Sequence, residues 1–164
     1  MRQLGAASRD AVEGDAEFPF RLVGRRESDA LNSQGRDQPK LSADRPYNPV
    51  HLNPADMSRL GIEAGMLVAI ASRRTTIYAF ARPSEDLRPG VVSISHCYGI
   101  DIEKLDARSL DGRPQPHAMG GHTGALVSAD LDYIEPFSGM PRMCAIPVHV
   151  APASEHMRNR TEVC

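Results

Sequence analysis

The sequence predicts a mainly β, barrel-like domain, and three observations carry that prediction. Apolar residues fall in short runs, several of them β-branched, separated by clusters of turn-forming residues. Glycine and proline number 13 each in 164 residues, about 16% against an average near 12%, which favours many turns over a helical bundle. Only one segment carries a helix's punctuation at both ends. With 41% apolar residues, 24% charged residues and a net charge of −2, the chain can fold and is long enough for the core of one domain.

The elements follow in chain order. Residues 1–16 are small and polar without periodicity and read as a disordered leader. Phe18 to Arg25 alternates as a strand does. Glu27 to Asn48, rich in Ser, Asp, Asn, Gln and Arg with Pro39 and Pro46, reads as a long loop, and long loops inside compact domains are usually functional. A helix over Pro54 to Leu60 is announced by Asn53 as its cap, Pro54 in its first turn, Asp56 against its dipole and Gly61 as its left-handed stop. Leu67 to Ala71 and Thr75 to Ala81 form two strands joined at Ser72-Arg73-Arg74. The turn Arg88-Pro89-Gly90 feeds a strand at Val91 to Ile94. Residues 99–120 read as a second long loop. Cys144 to Val150 is the last strand, with Pro147 marking an edge or bulge, and the chain from Ala151 onward reads as a tail.

Several functions are disfavoured by composition alone. The near-neutral charge balance argues against a nucleic acid or an anionic membrane bound by bulk charge. No stretch approaches the roughly 18 apolar residues of a membrane span. Met1 to Phe20 has acids and no apolar h-region, so the cytoplasm is the expected location. The three cysteines, Cys97, Cys144 and Cys164, form no CxxC, and the six histidines lack metal-site spacing. No catalytic residue or metal ligand is therefore assigned. Gly120, Gly121 and Gly124 make a glycine-rich loop of weak specificity, readable as an ordinary turn. Arg25 and Arg26 directly after a strand, and Arg36 beyond Asn32 and Ser33, suit phosphates and the polar edges of a heterocycle. A solvated loop explains them equally well.

A resemblance narrows these alternatives. In order, the chain carries FPFRLVGRR, LNSQGRD, YNPVHLNPADMSRLGIEAGMLVAIAS, RPGVVSISHCYG and GGHTGALVSADLDYIEPFSGMPRMCAIPV. This succession, from Phe18 to about Val150, resembles the C-terminal molybdopterin dinucleotide-binding domain of the dimethyl-sulfoxide-reductase and formate-dehydrogenase superfamily. The resemblance implies a double-psi β-barrel over residues 17–151, with a tail at 152–164. It also implies that the barrel closes over one arm of a bis-molybdopterin guanine dinucleotide cofactor. Carried over residue by residue, cofactor contact is expected from Gly24, Arg25, Arg26, Asn32, Ser33, His96, Gly121, His122, Thr123, Gly124 and Leu126. The family's usual Asn-x-Asn pair is His122-Thr123-Gly124 here, so both amide side chains are lost, and neither replacement matches an amide's paired donor and acceptor.

The function implied is that of a cofactor-holding fragment or separate subunit of a molybdenum-dependent oxidoreductase. It is not expected to be catalytic alone, because the redox chemistry belongs to the cofactor and to catalytic domains on another chain or missing from a fragment. Two other uses of the same barrel compete with this one. An aspartate-decarboxylase-like enzyme needs a Gly-Ser dipeptide for self-cleavage, and this chain has none. A protein-interaction module without cofactor, like the double-psi domains of certain AAA ATPases, would lack the Asn-Ser and Ser-Gly-x-Pro segments present here.

Overall fold

Six strands close into one barrel. They are β1 (Phe20–Arg25), β2 (Val50–Leu52), β3 (Leu67–Ala71), β4 (Thr76–Pro83), β5 (Val91–Ser95) and β6 (Ile146–Pro152), with the helix α1 (Pro54–Leu60) between β2 and β3. The computed structural model describes residues 16–27, 47–99, 120–128, 134–135 and 137–153. The expected leader as far as residue 15, Asn32 and Ser33, most of both long loops, and the chain beyond Ala153 lie outside the described residues. Among the described residues, no helix is long and apolar enough to cross a membrane.

Around the barrel the strands run β1-β5-β2-β4-β3-β6 and back to β1. Two of the pairings are parallel, β1 with β5 and β2 with β4, and the rest are antiparallel. The result is the double-psi β-barrel. Its period-two alternation points one face of every strand inward. Phe20 and Leu22, Val50 and Leu52, Val68 and Ile70, Val92 and Ile94, and Val148 and Val150 are all buried and share one core. Burying each such side chain contributes roughly 1.5–3 kcal/mol.

The helix occupies the span its punctuation predicts. Asn53 Oδ1 accepts the Ala55 N–H at 2.8 Å, while Asn53 Nδ2 donates to the Leu87 carbonyl at 2.6 Å. At the other end Gly61 takes φ 65°, and its N–H closes on the Met57 and Ser58 carbonyls. Asp56 is buried in α1. Its Oδ2 accepts the Gly90 N–H at 2.7 Å and its Oδ1 accepts from Arg59 at 2.9 Å. One carboxylate thus ties the helix to the turn that feeds β5.

Three differences from the sequence reading have physical causes. The three-residue β2 falls where no strand is expected, because so short a run carries no periodicity of its own. Its neighbours β4 and β5 supply its pairing on both sides. Thr76–Pro83 runs two residues past Ala81, since β2 pairs with Arg82 and Pro83. Finally β6 continues through Ala151 and Pro152, which pair with Ala69 and Val68, and Ala153 is buried behind them. Pro147 is not bulged, but it is paired on one side only, with β1, because pairing of β6 to β3 begins at His149. It sits in register opposite Arg21 in a closed barrel.

Candidate functional site

Parallel pairing decides where the candidate residues meet. Gly24 pairs with Ile94 and Arg25 with Ser95 in parallel register, so β1 and β5 end at the same rim of the barrel. The residues that follow, Arg26 and His96, are delivered there together although they lie 70 positions apart. The third segment arrives as a 3-10 turn over Thr123–Leu126. Gly24, Arg25, Arg26, His96, Thr123 and Gly124 line one open cavity of about 370 Å³. Its apolar wall is made by Leu22, Ile94, Val127 and Ile146, and Met143 and Cys144 complete the rim.

The remaining candidates hold the third segment in place. Leu126 is buried in the barrel core and anchors the turn. Gly121 is buried against β4 and β5, where an added Cβ would lie 3.0 Å from Ile77 Cδ1 and 3.2 Å from the Tyr78 carbonyl oxygen. His122 is exposed, and its ring lies across Gly124, so that a Cβ there would stand 3.1 Å from the imidazole.

Sequence reasoning missed the residue that organises this rim. Asn48 is fully buried. Its amide nitrogen donates to the Ser95 carbonyl at 2.6 Å and to the Gly121 carbonyl at 3.0 Å, and its Oδ1 accepts the Gly121 N–H at 2.8 Å. A single carboxamide therefore fastens the end of β5 to the glycine loop. The glycines beside it are obligatory. Gly120 has φ 97°, and a Cβ there would overlap Asn48 Oδ1; Gly99 has φ 62°, and a Cβ there would lie 2.5 Å from the Gly120 carbonyl oxygen. Arg74 fixes the far end of the turn by donating to the Val127 carbonyl at 2.8 Å. The signal for Asn48 was its place before Pro49, directly upstream of Val50 and Leu52, but its partners lie far along the chain.

The donor set fits an anionic ligand with polar edges. Two guanidinium groups, an imidazole, a threonine hydroxyl and two exposed glycine backbones face one space. Arg25 Nε is buried with no hydrogen-bond partner among the described residues, its nearest carboxylate oxygen being Glu27 Oε1 at 3.6 Å. Two non-glycine residues in the left-handed region flank the same rim, Cys97 at φ 69° and Ala145 at φ 57°. Such conformations cost of order 1–3 kcal/mol each and cluster at functional sites.

Comparison with known proteins assigns the family. Residues 20–146 match the model of the Molydopterin dinucleotide binding domain. The chain belongs to the molybdopterin dinucleotide-binding domain family. It is 30% identical over 120 residues to a tetrathionate reductase chain of Salmonella typhimurium, covering 73% of this chain and 12% of that protein. It is also 30% identical over 128 residues to the molybdopterin-containing chain of the arsenate respiratory reductase of Chrysiogenes arsenatis, covering 72% of this chain and 15% of the relative. The chain thus spans only about an eighth of the length of these molybdopterin oxidoreductase subunits. Acetylene hydratase from Pelobacter acetylenicus shares the fold of this domain, with a TM-score of 0.68 at 18% identity over 84% of this chain and 19% of that one.

Near the same rim, on β2, His51 is buried and its Nδ1 has no hydrogen-bond partner among the described residues. Burial foremost, then the positive charge of Arg25 and, more weakly, of Arg82, holds the imidazole below its usual value near 6.5, against opposing contributions from Glu27 and the Ser93 backbone. The unfolded chain therefore binds this proton more readily than the folded one. The stability associated with neutral His51 is fully present above about 6.5 and is lost as the pH falls through the depressed folded value. Urea unfolding between pH 7.5 and 5 is expected to show this fall, and His51→Leu is expected to flatten it. An unchanged slope in the variant would assign the pH dependence to other groups.

Proposed function

We propose that the chain holds one arm of a bis-molybdopterin guanine dinucleotide in the cavity between β1, β5 and the Thr123–Leu126 turn. The observation that carries this reading is the meeting of Arg25 and Arg26 with His96 and Thr123 at one rim, from three segments distant in sequence. Arg25 and Arg26 would hold phosphate oxygens through charge-assisted hydrogen bonds. His96, the Thr123 hydroxyl and the backbone at Gly24 and Gly124 would orient the polar edges. Asn32 and Ser33, carried over from the family's motif, belong to the same proposed contact set. At about 370 Å³ the cavity is near the lower end of small-molecule sites, roughly 300–1,000 Å³, and so takes part of a dinucleotide.

When bound, the cofactor supplies the redox chemistry, and this chain supplies binding and orientation. The chain spans a small share of its relatives, and we assign the catalytic step to further domains of a molybdenum-dependent oxidoreductase, on the same polypeptide or another.

Guanosine diphosphate is a suitable probe. Calorimetric titration is expected to show binding that weakens about tenfold in Arg25→Ala or Arg26→Ala, as loss of one charge-assisted hydrogen bond predicts. Added salt is expected to weaken binding further. Binding that is absent, or indifferent to both arginines, would remove this reading.

A further inference from the structure

Among the described residues, two buried side-chain polar atoms make no hydrogen bond, Arg25 Nε and His51 Nδ1. Native proteins leave few such atoms, and each calls for a reason. These two stand on one face of the sheet. His51 pairs with Ser93 on one side and with Arg82 on the other, and Ser93 pairs in turn with Val23. Paired residues share a face, as do residues two apart on a strand. Arg25 therefore lies on the same outer side as His51, one step along β1 from Val23. The alternate positions, Leu22, Ile94, Val50 and Leu52, point into the core.

The two groups differ in what they can do. Arg25 keeps its charge at every relevant pH and lines the cavity. His51 is 6% exposed and does not line it, but its imidazole can change charge near neutrality. The groups that act on that ring come from every neighbouring element: Arg25 on β1, Glu27 just beyond it, Arg82 on β4 and the Ser93 backbone on β5. Arg25 is the strongest of the charges. Two cations against one carboxylate favour the neutral ring, and that carboxylate is shared with Arg25, 3.6 Å away. An anion seated on Arg25 cancels the leading cation and tips the balance toward a protonated ring. Nδ1 makes no hydrogen bond that a change of protonation would break.

We propose that His51 takes up a proton from solvent when an anionic ligand seats on Arg25, so that the cavity binds its ligand and a proton together. The coupling rests on the cofactor reading above and adds to it a residue that does not touch the ligand. Linked affinities are reciprocal: whatever factor the anion adds to the hold on the proton, the proton adds to the hold on the anion. Ligand affinity therefore rises as the pH falls through the titration of His51. The stability of the empty domain runs the other way.

His96 lines the cavity and also favours an anion when protonated, so the readout has to come from His51 itself. Imidazole signals of the full chain are followed by NMR from pH 8 to 5, with His51 assigned through bonds to its own backbone. The probe is guanosine diphosphate mannose, a pyrophosphate diester with no phosphate proton titrating near neutrality; guanosine diphosphate has one, at about pH 6. With the probe bound, His51 is expected to hold its proton about three- to tenfold more tightly. Arg25→Ala is expected to raise the His51 midpoint without probe and to remove most of the further rise with it. Calorimetry in buffers of different ionisation enthalpy is expected to show proton uptake on binding that largely disappears in His51→Gln. A His51 midpoint unmoved or lowered by bound probe would overturn the proposal, as would uptake that persists in folded His51→Gln and vanishes in His96→Gln. Absence of probe binding would strike the cofactor reading. The Arg25→Ala titration, which removes the charge an anion would neutralise, would then still judge the coupling, and an unmoved His51 there would overturn it.

Discussion

Replacing Asn48 by alanine is expected to destabilise the protein by roughly 3 kcal/mol or more, because three buried hydrogen bonds are lost together and their partners are left without donor or acceptor. The Ser95 and Gly121 carbonyls and the Gly121 N–H are all satisfied by this one side chain. Asn48 is fully buried, so bulk solvent does not compete for these groups in the folded protein. Asn48→Asp sharpens the test. Oδ1 can still accept from Gly121, but the second carboxylate oxygen would face two carbonyls, so the loss should equal or exceed that of alanine. Urea denaturation at pH 7.5 measures both. A loss below about 1 kcal/mol in Asn48→Ala would mean that the glycine loop settles equally well without its clamp.

Asp56→Ala is the second large effect, expected at about 2–4 kcal/mol. The carboxylate is buried and accepts a short backbone bond from Gly90 N–H, whose loss leaves a partly buried donor unmatched. Arg59→Ala distinguishes the two halves of the arrangement. The Arg59 side chain is 58% exposed in the ion pair, and its guanidinium also lies over the Phe20 ring, 5.4 Å from the centroid. Surface pairs and exposed cation–π contacts are each modest, so a loss of about 1 kcal/mol is expected. Equal losses in the two variants would show that the Asp56–Arg59 pair within α1, rather than the bond to Gly90, accounts for the effect.

What could be read from the sequence divides along the range of the interactions involved. The bounds of α1 were legible because Asn53, Pro54 and Gly61 act within one turn of the helix they delimit. The end of β6 was not, because Ala151 and Pro152 are strand residues only through Ala69 and Val68, which lie more than 80 positions earlier. Asn48 escaped for the same reason: its partners are 47 and 73 residues away. At the rim, spacing alone left Arg25 and Arg26 undecided between a ligand site and a solvated loop. The succession of motifs favoured a ligand, and the parallel register of β1 and β5 then puts both beside His96. Leu126 stands within a glycine-rich motif, yet its burial follows from being the one large apolar side chain in the 3-10 turn.

The strand order has a further consequence for how the protein comes into being. Only β3 and β4 are neighbours both along the chain and around the barrel. β1 pairs with nothing until β5 exists, and the barrel cannot close until β6 has been made. At a ribosomal rate of roughly 5–20 residues per second, the 126 positions from Phe20 to Ile146 take on the order of ten seconds to synthesise. For that interval Phe20 and Leu22 have no core to enter. Folding of the barrel therefore waits for β6, and it is limited by closing long loops rather than by forming local structure. The nascent chain depends on shielding of its first strand until its last one emerges.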